Sequence, residues 1–249
     1  MEDIFKIPTQ NIELISGGKL YKDIPSTLEV EDMVTSDEDL LYSSSSKIQD
    51  GEVFKALVKK KIKTKNINID DLLIGDFNQL LIHLRCSGYG EKYNINTFDP
   101  DVNDYVKKEI DLSKLKIKKL GDGYDELGEF SFQLPKSGVN VKFILPTVGL
   151  GKTINTLAER REDVSTGITP YITTKFEFLI NEINGNRDKS YIKKFINVMS
   201  PIDSLALKKK LNEVEPDVLL KWEFETSINK NKHESDFILG MDFFYPSDI

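Results

Sequence analysis

Residues 139–153, VNVKFILPTVGLGKT, come nearest in residue type to a phosphate-binding loop. A Walker A loop requires Gly-x-x-x-x-Gly-Lys-Ser/Thr between a buried strand and a helix, and Gly151, Lys152 and Thr153 supply its second half. Pro146 occupies the position of the first glycine, although proline has no N–H to offer a phosphate. The segment therefore predicts a strand-to-helix turn with Thr153 near the helix start. A degenerate nucleotide site, with Asp242 as its Mg²⁺ ligand, is the disfavoured alternative.

Other residues that could perform catalysis or bind a metal are scattered along the chain. His83 and His233 lie in different predicted elements, and neither has a cysteine or histidine at zinc-ligand spacing. Cys86 lies close to His83 in sequence, but a free cysteine after an apolar run is more often buried and inert than nucleophilic. We therefore predict no catalytic, cofactor-binding or metal-binding residue.

The composition is that of an ordinary globular protein, with 39% hydrophobic and 30% charged residues among 249. A net charge of −7 disfavours binding to nucleic acid, and the short lysine runs are explained as the solvated faces of helices and strands. The sequence contains no apolar run long enough to span a membrane and no signal-peptide pattern, and its one cysteine excludes an internal disulfide. These features predict a cytoplasmic protein that binds neither nucleic acid nor membrane.

The first part of the chain predicts an N-terminal extension followed by helices and an antiparallel β unit. Residues 1–50 indicate short strands and a helix over 31–42. Within 51–150, apolar periodicity predicts a helix over 51–61 and a longer one capped by Asp70 and closed by Gly88. Alternating segments then predict strands over 93–120 and a hairpin formed by FSFQLP and VNVKFILP.

The remainder, 151–249, predicts a helical segment followed by a C-terminal β hairpin. Helices are expected over 152–161, 170–184 and 189–198, with another beginning at Ser200-Pro201. VLLKWEFET and DFILGMDFFY are predicted to be strands on either side of the polar loop NKNKHES. The predicted class is α+β, with antiparallel β units flanking and packed with a mainly helical middle, and residues 50–249 forming one compact body.

The order of several motifs resembles that of one protein family over most of the chain from about residue 50 onward. The motifs are IDDLLIGDFNQLLIHLRCSGYGEKY, EIDLSKL, FSFQLPKSGVNVKFILPTVG, ITPYITTKFEFLINEING and the terminal FFYP. Together they resemble the baseplate hub assembly proteins of T-even-type tailed phages. The resemblance implies a non-enzymatic morphogenetic factor that acts in the host cytoplasm on phage baseplate hub proteins, without a cofactor or small-molecule substrate. It leaves the oligomeric state open.

Two features bear on how such a factor would work. Related sequences often carry paired cysteines in the loops that here read NTFDPDVND and NKNKHES, so the resemblance implies that metal ligation is missing and packing alone holds the two β units. Phe243, Phe244 and Tyr245 near the terminus are candidates for partner contact, although anchoring in the core is the favoured interpretation. A structural hub subunit of the virion is the second functional hypothesis, and a nucleotide-dependent enzyme is the third.

Overall fold

The computed structural model describes residues 6–44 and 50–244, which form an α+β protein built from small antiparallel sheets, as predicted. The helices are α1 (Thr35–Ser44), α2 (Asp50–Lys61), α3 (Ile74–Tyr89), α4 (Val148–Arg160), α5 (Tyr171–Leu179), α6 (Lys189–Val198) and α7 (Pro201–Val214). The strands are β1 (Thr9–Glu13), β2 (Thr27–Glu31), β3 (Lys92–Asp99), β4 (Asp104–Asp111), β5 (Ile117–Lys118), β6 (Phe130–Gln133), β7 (Asn140–Phe143), β8 (Ile180–Ile183), β9 (Asp217–Val218), β10 (Lys221–Glu225) and β11 (Lys232–Asp236).

The sheets are antiparallel and mostly join strands that are neighbours in sequence. β1 pairs with β2, β3 with β4, and β10 with β11, while β6, β7 and β8 form a three-stranded sheet in that order. The predicted hairpin of FSFQLP and VNVKFILP is confirmed as β6 and β7. The short pair β5 and β9 joins segments about a hundred residues apart, so that residues 119–216 lie between two paired strands.

The apolar core consists of two clusters. The first contains residues of β2, α2, α3, β4 and the C-terminal segment, and the second contains residues of β6 to β8 and α4 to α7. Tyr21 packs against both clusters. The predicted N-terminal extension contributes buried Leu14, Leu28 and Val30 to the first cluster. The division into 1–50, 51–150 and 151–249, with residues 50–249 forming one compact body, stays a prediction.

The start of α3 differs from the prediction that Asp70 caps the helix. Asp70 lies in a 3-10 turn, and the helix begins four residues later, at Ile74. The position before it is Leu73, whose N–H donates to the hydroxyl of Tyr21 at 2.7 Å, and that hydroxyl donates to the buried carboxylate of Asp76. The first turn of α3 therefore has no side-chain cap, and a distant tyrosine holds the residue that precedes it.

Other boundaries also differ from the sequence-based expectation. The helix expected over 31–42 begins at Thr35, because Glu31 belongs to β2, and α3 ends at Gly90 instead of Gly88. The helix expected over 170–184 stops at Leu179, where the chain enters β8 and pairs with β7. The last strand is Lys232–Asp236, of which all but Asp236 lies in the segment predicted as a polar loop, whereas Met241–Phe244 forms a 3-10 turn.

Candidate interaction surfaces

The Gly151-Lys152-Thr153 segment lies inside α4 and not at its amino end. α4 begins at Val148, and Thr147 caps it by accepting the N–H of Leu150 at 3.2 Å. The N–H of Gly151 donates to the carbonyl of Thr147 at 2.8 Å, so it is not free to bind a phosphate. The expectation that Thr153 lies near the helix start is therefore wrong, because the cap is six residues earlier. This segment does not have the geometry of a phosphate-binding loop.

The lysine of this segment is also engaged in the fold. Lys152 Nζ lies 2.8 Å from Glu52 Oε1, an ion pair that joins α4 to α2. Both side chains are partly exposed, so the pair contributes less than about 1 kcal/mol to stability. The lysine therefore pairs with a carboxylate on a neighbouring helix.

The histidines and the cysteine do not form a reactive group. The described residues contain no group of three His, Cys, Asp or Glu side chains placed to hold a metal ion. Burial raises the pKa of the Cys86 thiol to about 11, the opposite of the shift that activates a nucleophile. Burial also lowers the pKa of His83, and the charge of Asp32 opposes that shift. His233 packs edge-on against Phe224 with ring centroids 5.4 Å apart.

Two of the three aromatic residues proposed for partner contact lie in the core. Phe243 and Phe244 are 1% and 0% exposed, and the Phe244 ring packs 5.4 Å from that of Phe54 on α2. Arg85 Nε donates to the Phe243 carbonyl at 2.8 Å, which fastens the terminal turn to α3. A partner could contact these two rings only if the turn left the core. Tyr245 lies outside the described residues, and the contact role of the three residues stays a prediction.

The two long hairpins, β3–β4 and β10–β11, are joined where their turns meet. Asp99 Oδ2 accepts the N–H of Ser227 at 2.8 Å and its hydroxyl at 2.6 Å. Asp101 Oδ2 accepts the N–H groups of Ile228 and Asn229 at 3.0 and 2.7 Å, and its Oδ1 accepts the Asn229 amide at 2.7 Å. We call this contact the turn junction. Two carboxylates there satisfy the backbone of a turn that lies far away in sequence.

The chemistry of the turn junction favours ionised aspartates. The hydroxyl of Thr226 and the N–H of Asn229 lower the pKa of Asp101 to about 2, and the hydroxyl of Ser227 lowers the pKa of Asp99. Asp99 and Asp101 belong to the loop NTFDPDVND, Asn229 is the first residue of the loop NKNKHES, and Ser227 lies two residues before that loop. The expectation that packing alone holds the two β units is therefore wrong, because hydrogen bonds between these loops link them directly. Sequence reasoning missed both aspartates. Their only local signal is the turn sequence FDPDVND.

Apolar side chains project from the turn junction. Phe98 and Tyr105 form an edge-on pair with ring centroids 5.9 Å apart and are 41% and 70% exposed. Val102 and Ile228, one from each turn, are 42% and 67% exposed. Four large apolar residues are thus exposed near the end of two joined hairpins, and we call them the exposed patch. Such patches are typical of protein contacts.

A groove of about 700 Å³ runs between β4 and β10 below this patch. Lys108 reaches across it, with Nζ 3.1 Å from the carbonyl of Glu225 and 5.3 Å from the centroid of the Phe224 ring. Trp222 lines the groove, and its buried Nε1 has no hydrogen-bond acceptor. Among the described strands, β4 pairs only with β3 and β10 only with β11, so the other edge of each strand is unpaired. An extended segment of a partner can bind to an unpaired strand edge by adding a strand to the sheet, and a groove beside the edge can accept its side chains.

Comparisons with known proteins assign the chain to a family. No helix among the described residues is long and apolar enough to cross a membrane. No curated protein and no solved structure matches the chain. A family model described as T4 bacteriophage base plate protein matches residues 7–241, which is nearly the whole chain and includes both hairpins and all seven helices in the described part. The chain therefore belongs to the T4 bacteriophage base plate protein family.

Proposed function

We propose that this protein is a non-enzymatic morphogenetic factor that promotes assembly of the phage tail baseplate hub, in the role of a hub assembly catalyst. The observation that carries the proposal is the family match over residues 7–241, because it covers both the helical middle and the flanking β units. The proposed partners are hub proteins of the baseplate. The proposed place of action is the cytoplasm of the infected host cell, where hub subunits meet before they enter the tail.

The turn junction and the groove support a function through protein contacts. Free hairpins are flexible, and ordering them on binding costs conformational entropy. Here Asp99 and Asp101 fix both turns in advance, so the patch of Phe98, Tyr105 and Ile228 is ordered before a partner arrives. A preorganised surface lowers the entropic cost of bringing hub subunits together.

The mechanism requires no covalent step. The protein binds partly assembled hub subunits, holds them in the orientation of the finished contact, and is displaced once the subunits contact each other fully. Displacement requires that the factor binds the intermediate more tightly than the finished hub, since only differential affinity shifts such an equilibrium. A structural hub subunit would show the reverse preference and would remain in the virion.

Affinity capture followed by quantitative mass spectrometry tests this function. A tagged chain recovered from infected cells should bring down hub proteins in intermediates that lack complete tails. Purified finished tails should contain the chain in substoichiometric amount or not at all. A fixed whole-number stoichiometry in finished tails would show a structural subunit. If no baseplate protein is enriched over an untagged control, the chain is neither an assembly factor nor a structural subunit of the hub.

A further inference from the structure

A second exposed surface lies far along the chain from the turn junction, where α6 meets α7. Asp188 caps α6 and Ser200 caps α7, with Pro201 in the first turn of α7. The inward faces of the helices are apolar and buried. They carry Ile192 and Ile196 on α6, and Leu207, Leu211 and Val214 on α7. The inward apolar faces of the two helices thus fill the second core cluster. The apolar residues on their solvent-exposed faces do not contribute to that core.

Their outer face carries a line of large apolar side chains. Tyr191 and Val198 are seven residues apart on α6, and Ile202 and Leu205 are three apart on α7, so each pair lies on one helix face. They are 45%, 79%, 58% and 51% exposed, in that order. Isolated exposed apolar residues are ordinary, but four within residues 191–205, two on each side of a helix corner, are more than single exposed side chains and make this corner a candidate contact surface.

Most charges on the two helices are positive, although the exposed Asp188 caps α6 and Lys193 pairs with Glu177 on α5 at 3.8 Å. α6 and α7 contain six lysines and only two acidic residues, Asp203 and Glu213. Asp203 is buried and accepts the N–H of Lys136 at 2.8 Å, and Glu213 pairs with Lys210 at 2.8 Å. Neither acidic residue is left to neutralise the other lysines.

Two of those lysines border the apolar line. Lys194 lies between Tyr191 and Val198 on the same face of α6, and Lys209 lies four residues beyond Leu205 on α7. Both are exposed, and neither has an acidic partner among residues 6–44 and 50–244. On a chain of net charge −7, this combination of apolar side chains and unpaired positive charge is a local exception.

We propose that the α6–α7 surface, consisting of Tyr191, Lys194, Val198, Ile202, Leu205 and Lys209, docks a partner segment that is apolar along its centre and acidic at its margins. The proposal rests on the proposed function, in which that segment belongs to a baseplate protein. The apolar residues exclude water at the centre of the contact. The lysines at its rim select carboxylates and accelerate the encounter.

A protein segment fits this surface better than a membrane or a nucleic acid does. Helices that lie in a bilayer interface insert their wide apolar face, whereas here those faces are buried in the core and only a narrow line remains. Sites for single-stranded nucleic acid use several stacked aromatic rings, and this surface exposes only Tyr191. The unpaired lysines favour a partner with negative charge. The apolar line favours a partner with apolar side chains, which a protein segment has and a nucleic acid does not.

Site-specific photocrosslinking tests the proposal in the full-length chain. A p-benzoylphenylalanine at Ile202, in infected cells, should crosslink to a baseplate-protein segment that is apolar along its centre and has Asp or Glu at its margins. The same probe at Val164, which is 95% exposed on another loop, is the matched control. A crosslink to a lysine-rich segment or to a second copy of this chain would overturn the proposal, as would equal yields at the two positions.

Charge reversal provides an independent readout. The double variant Lys194→Glu/Lys209→Glu should reduce the crosslinking yield at Ile202 roughly tenfold, because two rim attractions become repulsions. Lys65→Glu, an exposed lysine after α2, should leave the yield unchanged. Equal urea midpoints for these variants establish that folding is intact, and an unchanged yield in the double variant would refute the role of charge.

The remaining outcomes separate this proposal from the proposed function. If the tagged wild-type chain captures baseplate proteins but Ile202 crosslinks to none of them, the surface proposal fails and the proposed function stands. If no baseplate protein is captured, both fail. Flotation of the wild-type chain with vesicles of equimolar phosphatidylcholine and phosphatidylglycerol, abolished in the double variant, would assign the surface to a membrane and overturn the proposal.

Discussion

Truncation of Phe244 tests whether the terminal aromatic residues anchor the core. The side chain is 0% exposed, and its ring centroid lies 5.4 Å from those of both Phe54 and Phe243. Phe244→Ala removes the ring from a packed site and leaves a cavity, for which the expected loss is about 3–5 kcal/mol. Since a protein is typically stable by about 5–15 kcal/mol, this single change should remove a large part of the stability.

The assay is urea and thermal unfolding, followed by circular dichroism and by the fluorescence of Trp222, the only tryptophan. For a chain of this size the loss corresponds to a melting temperature lower by about 6–20 °C. Ile238→Ala is the matched control, because Ile238 is 84% exposed and lies six residues earlier in the chain. A loss below about 1 kcal/mol for Phe244→Ala, or an equal loss for Ile238→Ala, would refute the anchoring of the terminal turn.

Three further predictions test other parts of the structure. Lys152→Ala should leave hub assembly intact and lower stability by less than about 1 kcal/mol, and isothermal titration should show no ATP binding that depends on this lysine; such binding would revive the nucleotide hypothesis. Asp101 has a folded pKa of about 2 against an ordinary value of 3.8, so it stabilises the fold above pH 3.8 and loses this effect as the pH falls through about 2. The urea midpoint of Asp101→Asn, measured across this pH range, should lack this part of the acid dependence. A pH profile equal to that of the wild-type chain would contradict the turn junction. Gly75→Ala would place a Cβ 2.0 Å from the Pro216 carbonyl oxygen and should lower the free energy of unfolding by about 1–3 kcal/mol or more. The control Gly51→Ala, with open space around it, should leave the stability unchanged or raise it slightly. Equal urea midpoints for the two variants would show that the close approach at Gly75 is absent.

Local signals in the sequence predicted many elements well. Ser200-Pro201 predicted the start of α7, and the structure shows the Ser200 hydroxyl accepting the N–H of Asp203 at 3.2 Å. The alternation in FSFQLP and VNVKFILP predicted the hairpin of β6 and β7. Such elements depend on caps and turns that lie within a few residues, and for that reason the α+β class could be predicted.

Elements decided by distant contacts could not be predicted in this way. The run Ile180–Ile183 continues the helical pattern of α5, and only its pairing with β7 makes it a strand. Lys232–Asp236 has no apolar alternation because one face is exposed and the other is only half-buried, and its pairing with β10 defines it. The residue before α3, Leu73, is held by Tyr21, more than fifty residues away.

The same reason explains why the sequence does not reveal the turn junction. Asp99 and Asp101 receive hydrogen bonds from residues more than 120 positions later, and a single sequence does not show that pairing. The α6–α7 surface could not be predicted for a different reason. Lys209 belongs to a lysine run that the sequence explains as the solvated face of a helix, and only burial and ion pairing distinguish it from Lys210, which has a partner.

The number of baseplates completed per added molecule tests the central claim most directly. Extract from cells infected with phage that lack this chain would receive increasing amounts of the purified protein, and completed baseplates would be counted by electron microscopy. An assembly catalyst that is released should complete several baseplates per molecule added. A yield that never exceeds one baseplate per molecule, with the protein retained in each particle, would contradict a catalytic role in assembly and identify a structural subunit.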